Sequence, residues 1–529
     1  MARKKKSAWT VMVYLAGDNN LTTECMFAIT EMKKAALAGG LNVIAQFDPC
    51  DAYLPTHRYE INKNKQSETF YSDIIDCARY CDDRGEVSFT KESARATSLA
   101  RARKKGRKSA QVALHMSGLT TAAPSINVNT DDTDTGSPVT LYNFISFCIQ
   151  EYPAEHYMVV LSGHAGGTER DFLLSDESTA RSLTFHELKE VFQQVKTDRR
   201  EQLIDIIGMD NCLMSMAEIC YELRDVAEII VGSEGFSPSS GWPYRQILER
   251  LSKDFIKIGS KKDRSINAEV AKAIVEEFVN YYAIYWMAGL SVTQSALDVK
   301  KVKRLHQLVN ALAAAMELEL VNESGNKSSK ERFFESSLLL AHWEAQSYNG
   351  EQFVDLYDFC DCLENRWAYG EVGSRCRAVK EFIESEFVLK SCYCGAAYQY
   401  SYGVSMYFPW ARIAPSYWNL DFVSNTTDAG WGSFLKTYTH LTRRLPRGVN
   451  GPKTLNPAAI SAMPSSIGPA EHRIVADRMI DDRMVLDRSG LARSRVQSMR
   501  NPPITFVPDE CIRNKQNAVE CQKILLGST

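Results

Sequence analysis

Short apolar runs alternate with amphipathic stretches along the first half of the chain. Thr10 to Ala16 is a mostly apolar run that breaks at Gly17-Asp18-Asn19-Asn20, as a buried strand ending in a turn does. Leu21 to Ala38 has helical periodicity, stopped by Gly39-Gly40, and Leu41 to Phe47 reads as a second strand. Residues 50 to 95 are less regular and suggest a hairpin or an insertion. Asn127 to Pro138 and Ser175 to Arg181 read as loops, and Val139 to Tyr152 and Leu183 to Val195 as helices. Tyr157 to Ser162, Leu203 to Met209 and Glu228 to Ser233 are three more short apolar strands. A helix-like run, Leu213 to Leu223, starts directly after Cys212. This alternation predicts an α/β fold with a mostly parallel sheet flanked by helices.

Beyond residue 250 the pattern is more helical, with Asn267 to Tyr285, Lys301 to Leu320 and Val354 to Asn365. Two strand-like pieces, Gly289 to Ser295 and Tyr402 to Pro409, interrupt it. After residue 443 prolines recur without periodicity. Four segments are expected: a basic arm at 1–8, an α/β core at 9–250, a mainly helical region at 251–442 adding strands to that core, and an irregular Pro-containing tail at 443–529.

Composition narrows the function classes. With 529 residues, 44% hydrophobic and 24% charged, the chain has the make-up of a globular protein. Its net charge of −3 gives no global footprint for nucleic acid, and no run is long and apolar enough to span a membrane. Met1-Ala2-Arg3-Lys4-Lys5-Lys6-Ser7 is basic, but the run that follows is short, strand-like and broken by Asp18. That is not the apolar region of a secretory signal, so a cytoplasmic location is expected, with secretion left open. The 14 cysteines show no framework spacing and are expected to be reduced. Cys360-Asp361-Cys362 and Cys392-Tyr393-Cys394 have one intervening residue where zinc knuckles have two to four, so buried thiols are the expectation there. The basic run Arg101 to Lys108 reads as an exposed loop.

The chemistry concentrates at two strand ends. One strand runs Asp205-Ile206-Ile207-Gly208-Met209-Asp210-Asn211-Cys212; the other, 48 residues earlier, ends Leu161-Ser162-Gly163-His164-Ala165-Gly166-Gly167. In open α/β sheets, reactive groups gather beyond the carboxyl ends of strands. A helix starting after Cys212 would favour its thiolate, and His164 would be its acid/base partner. The backbone N–H groups of Ala165 and Cys212 are candidate oxyanion donors. The ordinary reading, a buried core cysteine and a loop histidine, stands beside this one.

These segments resemble the clostripain family of cysteine peptidases, which has a caspase-like fold. The resemblance rests on ordered motifs: Ala16-Gly17-Asp18-Asn19-Asn20-Leu21, Gly136-Ser137-Pro138-Val139-Thr140-Leu141, Tyr152-Pro153-Ala154, the histidine and cysteine strands, and Ser233-Glu234 leading to Gly241-Trp242-Pro243-Tyr244. Ser295-Ala296-Leu297-Asp298, Val354 to Phe359 and Tyr402 to Pro409 extend it over about residues 9–440. The resemblance implies a caspase-like peptidase core at 9–250, with His164 catalytic, Cys212 the nucleophile, and Asp210 the acid that reads a basic substrate side chain. Ser233 and Glu234 would line the same cleft. Substrates would be proteins or peptides with Arg or Lys before the scissile bond.

Relatives are often zymogens cut between the histidine and cysteine strands, so Arg181, Lys196, Arg199 and Arg200 are processing candidates, and an activating protease is a candidate partner. No cofactor is required for this chemistry. Because some relatives depend on calcium, the oxygen-rich segment with Asp131, Asp132 and Asp134 is a cation candidate, although it lacks an EF-hand register. One departure stands out: Ala165 occupies a position where the family has glycine, which keeps open a catalytically weak caspase-like module that binds partners. A nucleotide site on the loop from Gly163 to Gly167 ranks lower, since the Gly-rich fingerprint is missing.

Overall fold

A computed structural model describes residues 6–50, 56–61, 74–75, 134–256, 265–284, 289–325, 333–349, 352–368, 370–410, 412–424 and 430–443. The basic run at 101–108, Asp131, Asp132 and the tail beyond 443 lie outside the described residues.

The central sheet is built on β1 (Ser7–Gly17), β2 (Leu41–Pro49), β3 (His57–Glu60), β4 (Ile74–Ile75), β5 (Ala154–Ser162), β8 (Ile204–Asp210) and β9 (Ala227–Gly232), with β10 (Val292–Asp298) and β13 (Val388–Cys394). Its order is β13-β10-β9-β8-β5-β1-β2-β3-β4. The five middle strands, β9-β8-β5-β1-β2, are parallel; the pairs toward both edges are antiparallel. The strands are buried on both sides, which is why their sequences are continuous apolar runs rather than alternating ones.

Side chains on the two sheet faces feed two cores. Met12, Tyr14, Val159, Leu161, Ile207 and Met209 belong to one, which includes helices α2 (Pro138–Glu151) and α4 (Phe185–Asp198). Val11, Val13, Met158, Val160 and Ile206 belong to the other, with α1 (Thr22–Lys34), α6 (Tyr244–Arg250) and α7 (Ser265–Ala283). Helices α3 (Gly167–Arg170) and α5 (Ala217–Glu222) are short pieces between strands. Residues beyond 250 also contribute α8 (Val302–Gly325), α9 (Phe333–Glu344), α10 (Leu356–Arg366) and α11 (Gly370–Phe382). A small antiparallel sheet forms from β11 (Ser347–Tyr348), β12 (Phe353–Asp355) and β14 (Ser405–Tyr407).

Three local readings need correction. The segment Ser175 to Arg181 is a hairpin, β6 (Leu173–Asp176) pairing with β7 (Arg181–Leu183), not an open loop. Helix α4 therefore starts later, where Thr184 and Glu187 form a reciprocal cap. The helix expected directly after Cys212 starts only at Ala217. Leu213 takes a left-handed backbone (φ 60°), and the N–H groups of Leu213, Met214 and Ser215 bond to the carbonyls of Gly235 and Ser233. Those tertiary bonds outcompete an early helical turn. Strand β13, which holds Cys392 and Cys394, reads poorly as a strand because lysine, serine and cysteine dilute its apolar content. Cys392 and Cys394 sit in one core and Cys360 and Cys362 in the other, so the two Cys-x-Cys pairs do not meet.

Gly208 shows how tightly β8 is covered. A Cβ there would lie 2.6 Å from the Trp242 ring. We expect Gly208→Ala to cost about 1–3 kcal/mol from overpacking, read as a lower denaturant midpoint with unchanged slope.

Candidate active site

Strand register brings the two chemical segments together. Ser162 on β5 is the direct partner of Asp210 on β8, so His164 and Cys212 each lie two residues beyond a matched pair. The Asn211 side chain donates to the Gly163 carbonyl at 2.7 Å, tying the two strand ends across the gap. Gly167 takes φ 60°, a turn that glycine makes without Cβ strain. Ala165 has no positive φ, so its methyl imposes no backbone penalty.

Ala165 pairs with Leu173 through bonds made by the neighbouring groups, Leu174 N–H to the His164 carbonyl at 2.8 Å and Gly166 N–H to the Phe172 carbonyl at 3.2 Å. Among the described residues, the N–H groups of Ala165 and Cys212 donate to no backbone acceptor in these turns, which keeps both as candidate oxyanion donors.

The Cys212 thiol is parked against the next loop. Ser237 N–H donates to its sulfur at 3.3 Å, and the Ser237 hydroxyl donates to the Asn211 carbonyl at 3.1 Å. Burial pushes the thiol up to about 11, with Asp210 adding to the rise and the Ser237 N–H opposing it. Burial lowers the His164 imidazole below its ordinary 6.5. With no helix N-terminus behind the sulfur, the resting pair is a neutral thiol and a neutral imidazole.

Asp210 is fully buried, and burial raises its carboxyl above the usual range. Its Oδ2 accepts from Tyr244 OH at 2.7 Å and from Ser162 OH at 2.9 Å. Its Oδ1 makes no full hydrogen bond among the described residues, and the nearby Trp242 N–H offsets part of the effect of burial. A buried carboxylate oxygen short of a full hydrogen bond calls for a cation or a strong donor.

Ser233 and Glu234 turn inward instead of into this space. The Ser233 hydroxyl pairs with Thr293 at 3.0 Å, and Glu234 accepts from Gly403 N–H at 2.9 Å, raised to about 7 by burial. They hold the loop that carries Ser237. The processing candidates are also engaged. Arg181 lies 3.9 Å from Asp134 and 3.6 Å from Glu187. Lys196 pairs with Glu201 at 3.2 Å, and Arg199 lies over the Tyr157 ring. Arg200 sits in a turn at φ 55°.

Of the cation candidates, Asp134 is buried and accepts from Gly136 N–H at 2.9 Å. A separate group of hard oxygens gathers at Asp18, Asp48 and Asp176, all within 4.8 Å of one another. Hydroxyl groups already occupy it: Ser178 donates to Asp18, Thr56 to Asp48, and Thr179 to Asp176.

Four contacts to the candidate residues escaped the sequence reading: Asn20 on His164 at 2.6 Å, Ser162 and Tyr244 on Asp210, and Ser237 on Cys212. The strand-end rule that found His164 and Cys212 also covers Asn20, which follows parallel strand β1. Ser237 lies in the loop after β9 and Tyr244 at the start of α6, and periodicity does not reveal the path that returns them to the strand ends.

Comparison with known proteins agrees with this geometry. The profile of the Clostripain family matches residues 13–438. Clostripain of Hathewaya histolytica is 22% identical over 397 residues, covering 68% of this chain and 66% of that protein, just under two thirds of its length. A secreted C11 cysteine protease from Bacteroides thetaiotaomicron, solved with an irreversible peptide inhibitor, superposes with a TM-score of 0.52 at 15% identity, over 79% of this chain and 98% of that one. The structure from the same organism called iotapain gives 0.51 at 13% identity, over 80% and 100%. These likenesses show the caspase-like α/β fold, and the family match over most of its length shows that the chain belongs to the clostripain family of cysteine proteases.

Proposed function

We propose that this chain hydrolyses peptide bonds on the carboxyl side of Arg or Lys, with Cys212 as nucleophile and His164 moving the protons. The observation that carries the specificity is Asp210: a buried carboxylate with no cation beside it and one oxygen short of a full hydrogen bond, two residues before the thiol on the same strand end. An Arg or Lys side chain supplies the missing cation.

The steps follow from the resting charges. Substrate occupies the cleft and excludes water. The Cys212 proton passes to neutral His164 as sulfur attacks the carbonyl carbon. The N–H groups of Ala165 and Cys212 receive the developing oxyanion. Imidazolium His164 then protonates the leaving amine, and the C–N bond breaks. Water, deprotonated by His164, releases the acyl group and restores the thiol.

For processing, Arg181 at the end of the β6–β7 hairpin turn and the exposed Arg200 in the turn after α4 are better placed than Lys196, which lies within helix α4. The alternative, a weak binding module, drew its support from Ala165, and that residue makes no demand for left-handed backbone.

Three outcomes test this reading. With a pre-processed sample and a peptide carrying Arg before the scissile bond, Cys212→Ala should abolish cleavage; intact mass should show self-cut fragments only when Cys212 is present. Equal cleavage by Cys212→Ala would refute the assignment. Asp210→Asn should lower kcat/KM for Arg and Lys substrates by about 10²–10³-fold, since the bound substrate cation is left without its counter-charge. A similar loss on a neutral residue at that position would argue for misfolding instead. Alkylation of free Cys212 by iodoacetamide, followed by peptide mapping, should rise about tenfold per pH unit toward an inflection near 11, because only the thiolate reacts. An inflection at or below pH 7 would mean a resting ion pair.

A further inference from the structure

We propose that Asn20 is a positioning residue for His164, fixing its tautomer so that Nδ1 is the nitrogen that carries protons in the reaction. The inference rests on the proposed role of His164. Asn20 Oδ1 lies 2.6 Å from His164 Nε2. The amide oxygen only accepts, so Nε2 bears the hydrogen and donates it. At neutral charge the lone pair then sits on Nδ1, which makes no hydrogen bond among the described residues.

Both ends of this contact are held by rigid backbone. On the Asn20 side, the buried neighbour Asn19 donates to the Ala16 carbonyl at 3.0 Å and the Ser175 carbonyl at 2.8 Å, and accepts from Leu21 N–H at 2.9 Å. Strand β1 is in parallel register with β5, with Leu15 opposite Ser162, so the turn after β1 lies beside the histidine turn. On the His164 side, Leu174 N–H grips its carbonyl and the Asn211 amide grips Gly163. Asn20 itself is exposed. An exposed side chain contributes little packing, and its hydrogen bond goes to the histidine.

The proton count closes with this tautomer. The Cys212 S–H proton moves to Nδ1, giving an imidazolium whose Nε2–H stays on Asn20. Nδ1 then gives that proton to the leaving nitrogen. In the second half, water gives a proton to Nδ1, which passes it to the departing sulfur. Asn20 changes no charge; it keeps the ring from turning and the hydrogen from migrating to the wrong nitrogen.

The test uses full-length processed enzyme and an Arg peptide. Asn20→Ala should lower kcat by about 10–100-fold, the usual cost of losing a ligand-orienting partner, with KM within about threefold. Asn20→Asp places a carboxylate on Nε2–H, stabilises the imidazolium, and should move the acidic limb of kcat to higher pH. Ring ¹⁵N chemical shifts, measured by NMR in a Cys212→Ala background, should show the Nε2–H form, with that preference lost in Asn20→Ala. Unchanged kcat and an unchanged acidic limb in both variants, or an Nδ1–H ring by NMR, would overturn the inference. An inactive wild-type enzyme would instead count against the proposed function, and the NMR result then decides the tautomer alone.

Discussion

The parallel register of β1, β5 and β8 is the constraint on which the site depends. Leu15, Ser162 and Asp210 are aligned across the three strands. Each strand then ends within the same few residues and delivers one group: Asn20, His164 or Cys212. A one-residue slip would exchange the two sheet faces and move Asp210 from the Tyr244 side to the other core. The register is fixed by continuous apolar packing on both faces, with Met12, Val159 and Ile207 on one and Val13, Val160 and Ile206 on the other. Packing in the core therefore sets the geometry of the chemistry.

Burial then decides the electrostatics. The helix that would have lowered the thiol is displaced by bonds from Leu213, Met214 and Ser215 to the loop after β9. Desolvation raises Cys212 and lowers His164, and both shifts favour the uncharged pair. The same desolvation raises Asp210, whose Oδ2 accepts two hydroxyls while its Oδ1 makes no full hydrogen bond among the described residues. In the proposed reaction, the group that would read the substrate lies on the strand that would carry the nucleophile.

The sheet and the residues at its carboxyl ends were legible in the sequence because buried parallel strands leave uninterrupted apolar runs. His164, Cys212 and Asp210 could be found from those runs and from the family motifs. The hairpin around Asp176 and Arg181 was hidden, because its two short strands are polar enough to read as loop. The delayed helix after Cys212 was hidden because local propensity favours a helix there, and tertiary bonds to Ser233 and Gly235 override it. Ser233 and Glu234 followed the strand-end rule in sequence, yet their side chains point into the protein to hold Thr293 and Gly403. Side-chain direction at a strand end depends on what the next loop needs, and no periodicity encodes that.

The central claim is that one aligned set of strand ends holds the nucleophile and the reader of the basic side chain. A crystal structure of the adduct formed with a peptide chloromethyl ketone ending in arginine tests it most directly. The account predicts a covalent bond from Cys212 Sγ to the inhibitor carbon and the guanidinium bonded to Asp210 Oδ1. An adduct on another cysteine, or a guanidinium left in solvent above a still-buried Asp210, would contradict it.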